Sequence, residues 1–305
     1  MLKKIILIAA IFCLPSSIWA KPATAVKNIV ASSQDLAYIA ARVGGRHVTV
    51  KSLTSGDEDQ HYVEARPSMV MALRNADVFV RIGMELDMWA DALMIAAKND
   101  KIMRGGSGEI DASADIEKLQ VPSGKIDMSM GDIHAFGNPH YWLDPQNAAV
   151  IAKTIAARLS QIDPANAQDY NANAKAFSEE IAAKLKAWQK RLEPYAGYKI
   201  VVYHDSWPYF AKRFNLIIAG HIEPKPGIPP SPSHIASLID MMRREKVKAI
   251  LCETYFNGKT TGSLSEKTGV NVAAVPVSAG GVKGTETYEK FMDYIVTRLE
   301  EAFRK

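Results

Sequence analysis

Between Pro164 and Pro194 the chain carries neither glycine nor proline, while Tyr170, Ala174, Phe177, Ile181, Leu185, Trp188 and Leu192 recur every three or four residues. That spacing keeps one face apolar through many turns, so it predicts a single amphipathic helix over residues 163–195. Such a helix of about 30 residues is about 45 Å long, longer than a small domain is wide. A chain of 305 residues built around it is expected to form two lobes that share it.

The segments on either side alternate between strand and helix periods. Before the long helix, strands are read at 28–32, 47–53 and 77–82, with helices at 33–43, 67–75 and 85–97. Residues 105–131 are read as loop with a short strand, and a further helix starts at Asp144-Pro145. After it, strand 199–203 leads a second series: helix 206–213, strand 215–221, helix 232–245, strand 247–252, helix 259–268, strand 270–276 and helix 284–303. Alternation of this kind builds mostly parallel sheets with crossover helices. The expected class is α/β, with an N-terminal lobe over 21–162 and a C-terminal lobe over 196–305. Five prolines in the eleven residues 223–233 mark a stiff surface loop.

Lys3 and Lys4, the apolar run 5–14 and a small residue at Ala20 read as a secretory signal peptide over residues 1–20. Its apolar stretch is far short of the roughly 20 residues that span a bilayer, and Cys13 lacks the setting of a lipidated cysteine, so a free periplasmic protein is expected. Cleavage removes two lysines and leaves 35 basic against 33 acidic residues. With both signs interleaved along the helical stretches, no basic face for nucleic acid is present. Cys252 alone survives processing, so no intramolecular disulfide can form.

In open α/β sheets ligands sit beyond the carboxyl ends of the strands. Four polar residues occupy such positions: His61 after the acidic loop 57–59, His140 in Gly137-Asn138-Pro139-His140, His204 at the end of strand 199–203, and Glu253 at the end of strand 248–252. Two come from each half. Three imidazoles and a carboxylate suit a borderline divalent ion such as zinc. Separations of 79, 64 and 49 residues match no local metal motif, so only the fold can bring the four together. Enzyme motifs fare worse. His204-Asp205-Ser206 has no nucleophile elbow beside it, and Gly258-Lys259-Thr260 has Glu253 where a phosphate loop requires glycine.

His61 stands in HYVEARPSM, His140 in GNPHYWLDPQNA and His204 in HDSWPYFAKRFNL. These strings resemble the metal-site signatures of the periplasmic zinc- and manganese-binding receptors of bacterial ABC importers, the cluster A-I solute-binding proteins. The resemblance covers essentially the whole mature chain. It implies a C-clamp of two α/β lobes on one rigid helix and a monomeric binding protein, not an enzyme. It also implies a metal held as cargo by His61, His140 and His204 and delivered to a membrane permease.

The family's usual fourth ligand is an aspartate after the last strand, where this chain reads 275–281 without an acid. Water or Glu253 is expected there instead. A nitrogen-rich shell favours Zn²⁺ over the harder Mn²⁺, with a Mn²⁺ or Fe²⁺ receptor on the same scaffold as the alternative. Asp132 and His134 stand where many zinc receptors carry a long His- and Asp-rich loop, and Met128, Met130 and His134 form a weaker candidate set for Cu(I). Glu64 and Asp205, beside presumed ligands, are expected to orient the rings, with Trp142, Trp207 and Tyr209 walling the cleft. The competing reading from another class is an exported zinc hydrolase, in which three histidines leave an open position for an activated water.

Overall fold

The computed structural model describes residues 26–124, 127 and 130–304. The leader expected over 1–20 and Met128 lie outside them. Two four-stranded sheets are present among the described residues, each entirely parallel. The first is built from β1 (Lys27–Ala31), β2 (Val48–Ser52), β3 (Val78–Arg81) and β4 (Glu109–Asp111), in the order β2-β1-β3-β4. The second uses β5 (Lys199–Val202), β6 (Ile217–His221), β7 (Ala249–Glu253) and β8 (Asn271–Val275), in the order β6-β5-β7-β8. The same order in both lobes gives each a switch point between its first and third strands, where crossover helices leave to opposite faces and a crevice opens. The central strands β3 and β7 are buried along their whole length, as an all-parallel sheet covered on both faces demands.

Helices α1 (Gln34–Gly44), α2 (Pro67–Arg74), α3 (Trp89–Ala97) and α4 (Pro145–Ile162) belong to the first half, and α6 (Pro208–Arg213), α7 (Pro232–Arg244), α8 (Lys259–Thr268) and α9 (Tyr288–Arg304) to the second. Local chemistry sets several starts. Ser33 caps α1 by accepting from Leu36 N–H, Asp144 caps α4 by accepting from Gln146 N–H, and Ser231 caps α7. Proline occupies the first position of α2, α4, α6 and α7.

The long helix α5 runs from Ala167 to Leu192, 26 residues, or about 39 Å. It buries Tyr170, Ala174, Phe177, Ile181, Trp188 and Leu192 against α4, α1 and α9. One apolar cluster therefore passes through both lobes: Val80 and Ile29 share it with Phe177, Leu251 and Ile295. At about 1.5–3 kcal/mol for each fully buried large side chain, such a seam holds the lobes to one geometry. Polar ties reinforce it. Trp142 Nε1 donates to Val277 O at 2.7 Å, Arg213 grips both oxygens of Asp144 at 2.7 and 2.8 Å, and Asp35 on α1 accepts from Ser278 Oγ and Ala279 N–H.

Two helices start four residues later than their periodicity predicts, α9 at Tyr288 rather than 284, and α3. Helical spacing begins at Glu85, yet α3 begins at Trp89. Gly83, Met84 and Glu85 all adopt left-handed backbone, with φ of 76°, 49° and 69°. The turn is held by Asp87, whose carboxylate accepts from Ile82 N–H at 2.6 Å and Gly83 N–H at 3.2 Å and faces Arg81. Hydrogen bonds to the buried Asp87 offset the cost of two non-glycine residues at positive φ.

Candidate metal centre

Two of the three histidines are set by the same local device. Asp59 lies two residues before His61, and its Oδ1 accepts both the His61 backbone N–H at 2.9 Å and ring Nδ1 at 2.9 Å. Asn138 lies two residues before His140, and its Oδ1 does the same at 3.0 and 3.0 Å. An acceptor-only oxygen at Nδ1 fixes the tautomer with the proton there and turns Nε2, with its lone pair, into the cleft. The Asn138 amide goes on to donate to Asp205 O at 2.7 Å, tying the His140 segment to the residue beside His204.

His204 follows β5 at the switch point of the second sheet. Its Nδ1 is held by Glu223 Oε2 at 2.7 Å, from the chain just past β6. The same carboxylate oxygen accepts Gly227 N–H at 3.0 Å, so the proline-rich loop is anchored on the residue that orients this ring. The ring of His61 is 5.1 Å from that of His140 and 4.8 Å from that of His204, and the last two are 5.4 Å apart, centroid to centroid. One nitrogen of each lies within 4.8 Å of the other two. A tetrahedral zinc with bonds of about 2.0–2.1 Å would draw those nitrogens to about 3.3 Å from one another, a contraction within reach of small ring rotations.

Burial and neighbouring charge act differently on the three. Burial, joined by the charges of His61 and His204, pulls the His140 pKa well below the ordinary 6.5 and keeps it neutral. Burial also pulls on His204, but the Glu223 hydrogen bond and the charges of Glu253, Glu223 and Asp59 prevail and raise it above 6.5. Burial pushes Asp59 upward, and the hydrogen bond and charge of His61 overcome this and leave it lowered.

Glu253 is fully buried at the end of β7. It is not among the side chains whose ligand atoms converge within 4.8 Å. Its Oε1 accepts from Ser206 Oγ at 2.7 Å and Trp207 Nε1 at 2.9 Å, which pins the turn between His204 and α6, while Oε2 is buried without a partner. Burial raises its pKa to about 7. Glu64 is exposed, and the oxygen on the neighbouring His61 belongs to Asp59. Asp205 turns its carboxylate to His221 Nε2 at 3.1 Å, away from the His204 ring. Orientation thus comes from Asp59, Asn138 and Glu223 rather than from Glu64 and Asp205. For the first two, an Asx residue two positions before the histidine was the available signal. Glu223 had none.

Trp142, Trp207 and Tyr209 are buried around the site. Trp142 lies 5.4 Å from the His140 ring, and Tyr209 Oη donates to Asn138 O at 3.0 Å. His134 lies at the mouth, 5.7 Å from the His61 ring, and burial followed by the charge of His61 lowers its pKa to about 4. Two cavities meet there, one of ≈ 320 Å³ reaching His140 and His204 and one of ≈ 500 Å³ reaching His61. A roomier groove of ≈ 790 Å³ beside β2 and α2 has no His, Cys, Asp or Glu in its lining and is no rival metal site.

Two parallel-sheet lobes on one long helix, with three imidazoles whose nitrogens lie within 4.8 Å of one another, are shared with metal-binding receptors of ABC importers, and comparison with known proteins supports a receptor over an enzyme. The family described as "Zinc-uptake complex component A periplasmic" matches residues 29–302, and the chain belongs to that family. Among its relatives, the metal ABC transporter substrate-binding lipoprotein ScbA of Streptococcus cristatus is 25% identical over 91% of this chain and 89% of its own length. The iron-binding protein YfeA of Yersinia pestis is 26% identical over 87% and 82%. A crystal structure of ZnuA superposes with a TM-score of 0.77 at 26% identity, covering 91% of this chain and 99% of that one. No helix among the described residues is long and apolar enough to cross a membrane.

Proposed function

We propose that this protein, freed of its leader, captures Zn²⁺ in the periplasm through His61, His140 and His204 and hands it as a monomer to the membrane permease of an ABC importer. The observation that carries the reading is the shared tautomer: three rings present Nε2 to one point because Asp59, Asn138 and Glu223 hold each Nδ1. A shell made of imidazole nitrogens suits zinc better than Mn²⁺, which favours oxygen donors. Acceptors behind the rings strengthen them as ligands. Glu253 acts on this reading from behind the site, holding the turn that carries His204. Family membership supports receptor function over the hydrolase alternative.

The test is elemental mass spectrometry on protein purified without affinity chelates, followed by competition against a chelator of known affinity. One zinc per chain, held against manganese and ferrous iron, is the expected result. A chain that releases zinc to a weak chelator, or that keeps manganese or iron in preference, overturns the assignment.

A further inference from the structure

Two buried side-chain nitrogens at the mouth of the cleft have no hydrogen-bond partner, His61 Nε2 and His134 Nε2. A buried imidazole nitrogen left unpaired loses its hydration without compensation, so such atoms are rare unless something absent from the protein satisfies them. For His61 the cargo explains it. Like Glu253, His134 is not among the side chains whose ligand atoms converge within 4.8 Å; its ring stands 5.7 Å from that of His61, against 4.8–5.4 Å between the triad's own rings.

The segment that bears His134 is fastened to both lobes. Tyr62, next to His61, donates its hydroxyl to Asp132 Oδ2 at 2.5 Å, and Glu85 accepts Ala135 N–H at 2.6 Å. From the other lobe, Pro226 O accepts Asp132 N–H at 2.9 Å. Gly137, at φ 102°, closes the segment where a Cβ would stand 2.6 Å from Leu119 O. His134 is thus presented to the cleft by fixed points on either side of it, and it lines both cavities that open there.

We infer that His134 is the fourth protein ligand, closing a four-nitrogen site over the cargo in the place left by the acid-free loop 275–281. This rests on the triad reading above. Among the described residues two buried ligand-type atoms beyond the triad are unpartnered, His134 Nε2 and Glu253 Oε2. Glu253 is committed through its other oxygen to Ser206 and Trp207 inside the second lobe, whereas His134 gives its segment a backbone oxygen, accepting Gly137 N–H at 3.2 Å, and keeps its ring Nε2 unpartnered. Four imidazole nitrogens with no carboxylate also suit zinc better than harder ions that favour oxygen donors.

The experiment compares His134→Ala, His140→Ala and Glu253→Gln in zinc competition with a chelating dye and in the visible spectrum of the Co²⁺-loaded protein. For His134→Ala the expected result is a tenfold or greater loss of zinc affinity, roughly the scale of losses around metal sites, and a Co²⁺ spectrum shifted toward mixed nitrogen–oxygen coordination as water enters. The melting temperature of the metal-free protein should stay unchanged, which separates loss of a ligand from loss of fold. Glu253→Gln acts through the turn that carries His204, so whatever it does to affinity it should leave the Co²⁺ spectrum in its four-nitrogen form. A His134→Ala protein with parental affinity and spectrum overturns the inference, and the fourth place then belongs to water, or to Glu253 if Glu253→Gln shifts the Co²⁺ spectrum. If His140→Ala also binds normally, the triad reading itself fails.

Discussion

Glu223 Oε2 stands 2.7 Å from His204 Nδ1, although 19 residues and an entire strand separate the two in the chain. That contact decides which nitrogen of His204 faces the cleft, and it couples the ring to the proline-rich loop through Gly227. Replacing the carboxylate by its amide, Glu223→Gln, keeps the size and removes the charge behind the ring. Zinc affinity should fall by about 10- to 100-fold, measured by dye competition, with the metal-free fold intact by circular dichroism. Unchanged affinity would detach Glu223 from the site.

The triad predicts a hierarchy. His140→Ala and His204→Ala each remove a buried nitrogen whose tautomer is already fixed, and each should cost more affinity than any change to a residue behind the rings. Calorimetric titration with zinc should show at least a hundredfold loss, on the order of 3 kcal/mol. Losses equal to that of a half-buried histidine outside the triad, such as His234→Ala, would remove them from the set.

Proton competition sets the pH response. Each histidine must be neutral to bind, so a group with a raised pKa limits affinity first as pH falls. His204, whose pKa lies above the ordinary 6.5, is that group, and His140, well below it, is not. Affinity should therefore begin to decline before pH has fallen to the ordinary histidine value of 6.5 and keep falling below it. A flat profile between pH 7.5 and 5.5 contradicts a histidine-dominated site.

Asp35 offers a stability test away from the metal. Burial raises its pKa from 3.8 to about 6, against the opposing hydrogen bonds from Ser278 and Ala279. A raised folded-state pKa means that the stabilising contribution is fully present below 3.8 and is lost as pH rises through about 6. The loss is on the order of 3 kcal/mol. Asp35→Asn resembles the protonated form at every pH. In urea unfolding of metal-free protein the variant should gain on the parent between pH 4 and 7, and a constant difference would refute the assignment.

Phe177 on α5 is fully buried and lies under the Arg42 guanidinium at 5.2 Å. Phe177→Ala should destabilise the protein by about 3–5 kcal/mol, read from chemical denaturation. Because α5 packs into the seam shared by both lobes, they should unfold in one transition. Separate transitions would show that the seam does not couple them.

Periodicity and punctuation were enough for α5, whose glycine-free stretch and three-to-four spacing match its buried stripe, and for the alternation that yields two parallel sheets. These features are local: a helix face is written every few residues, and a parallel strand buried on both sides is a short apolar run. The signature strings around His61, His140 and His204 likewise drew attention to residues that the fold gathers within 4.8 Å. The left-handed turn at Gly83–Glu85 was not legible, because Asp87 and Arg81 hold it through contacts that no spacing encodes. Nor was the distinction between Asp59 and Glu64, or between Glu223 and Asp205, as partners of the rings. Proximity in the chain favoured Asp205 over Glu223, but side chains at adjacent positions point apart, and hydrogen bonds of about 3 Å are granted only by direction; Asp59, two residues from His61, is nearer to it than Glu64. The sequence by itself determined which elements form and which residue types could hold a metal. Only the tertiary structure decided which nitrogen of His204 faces inward, because its acceptor is brought from 19 residues away.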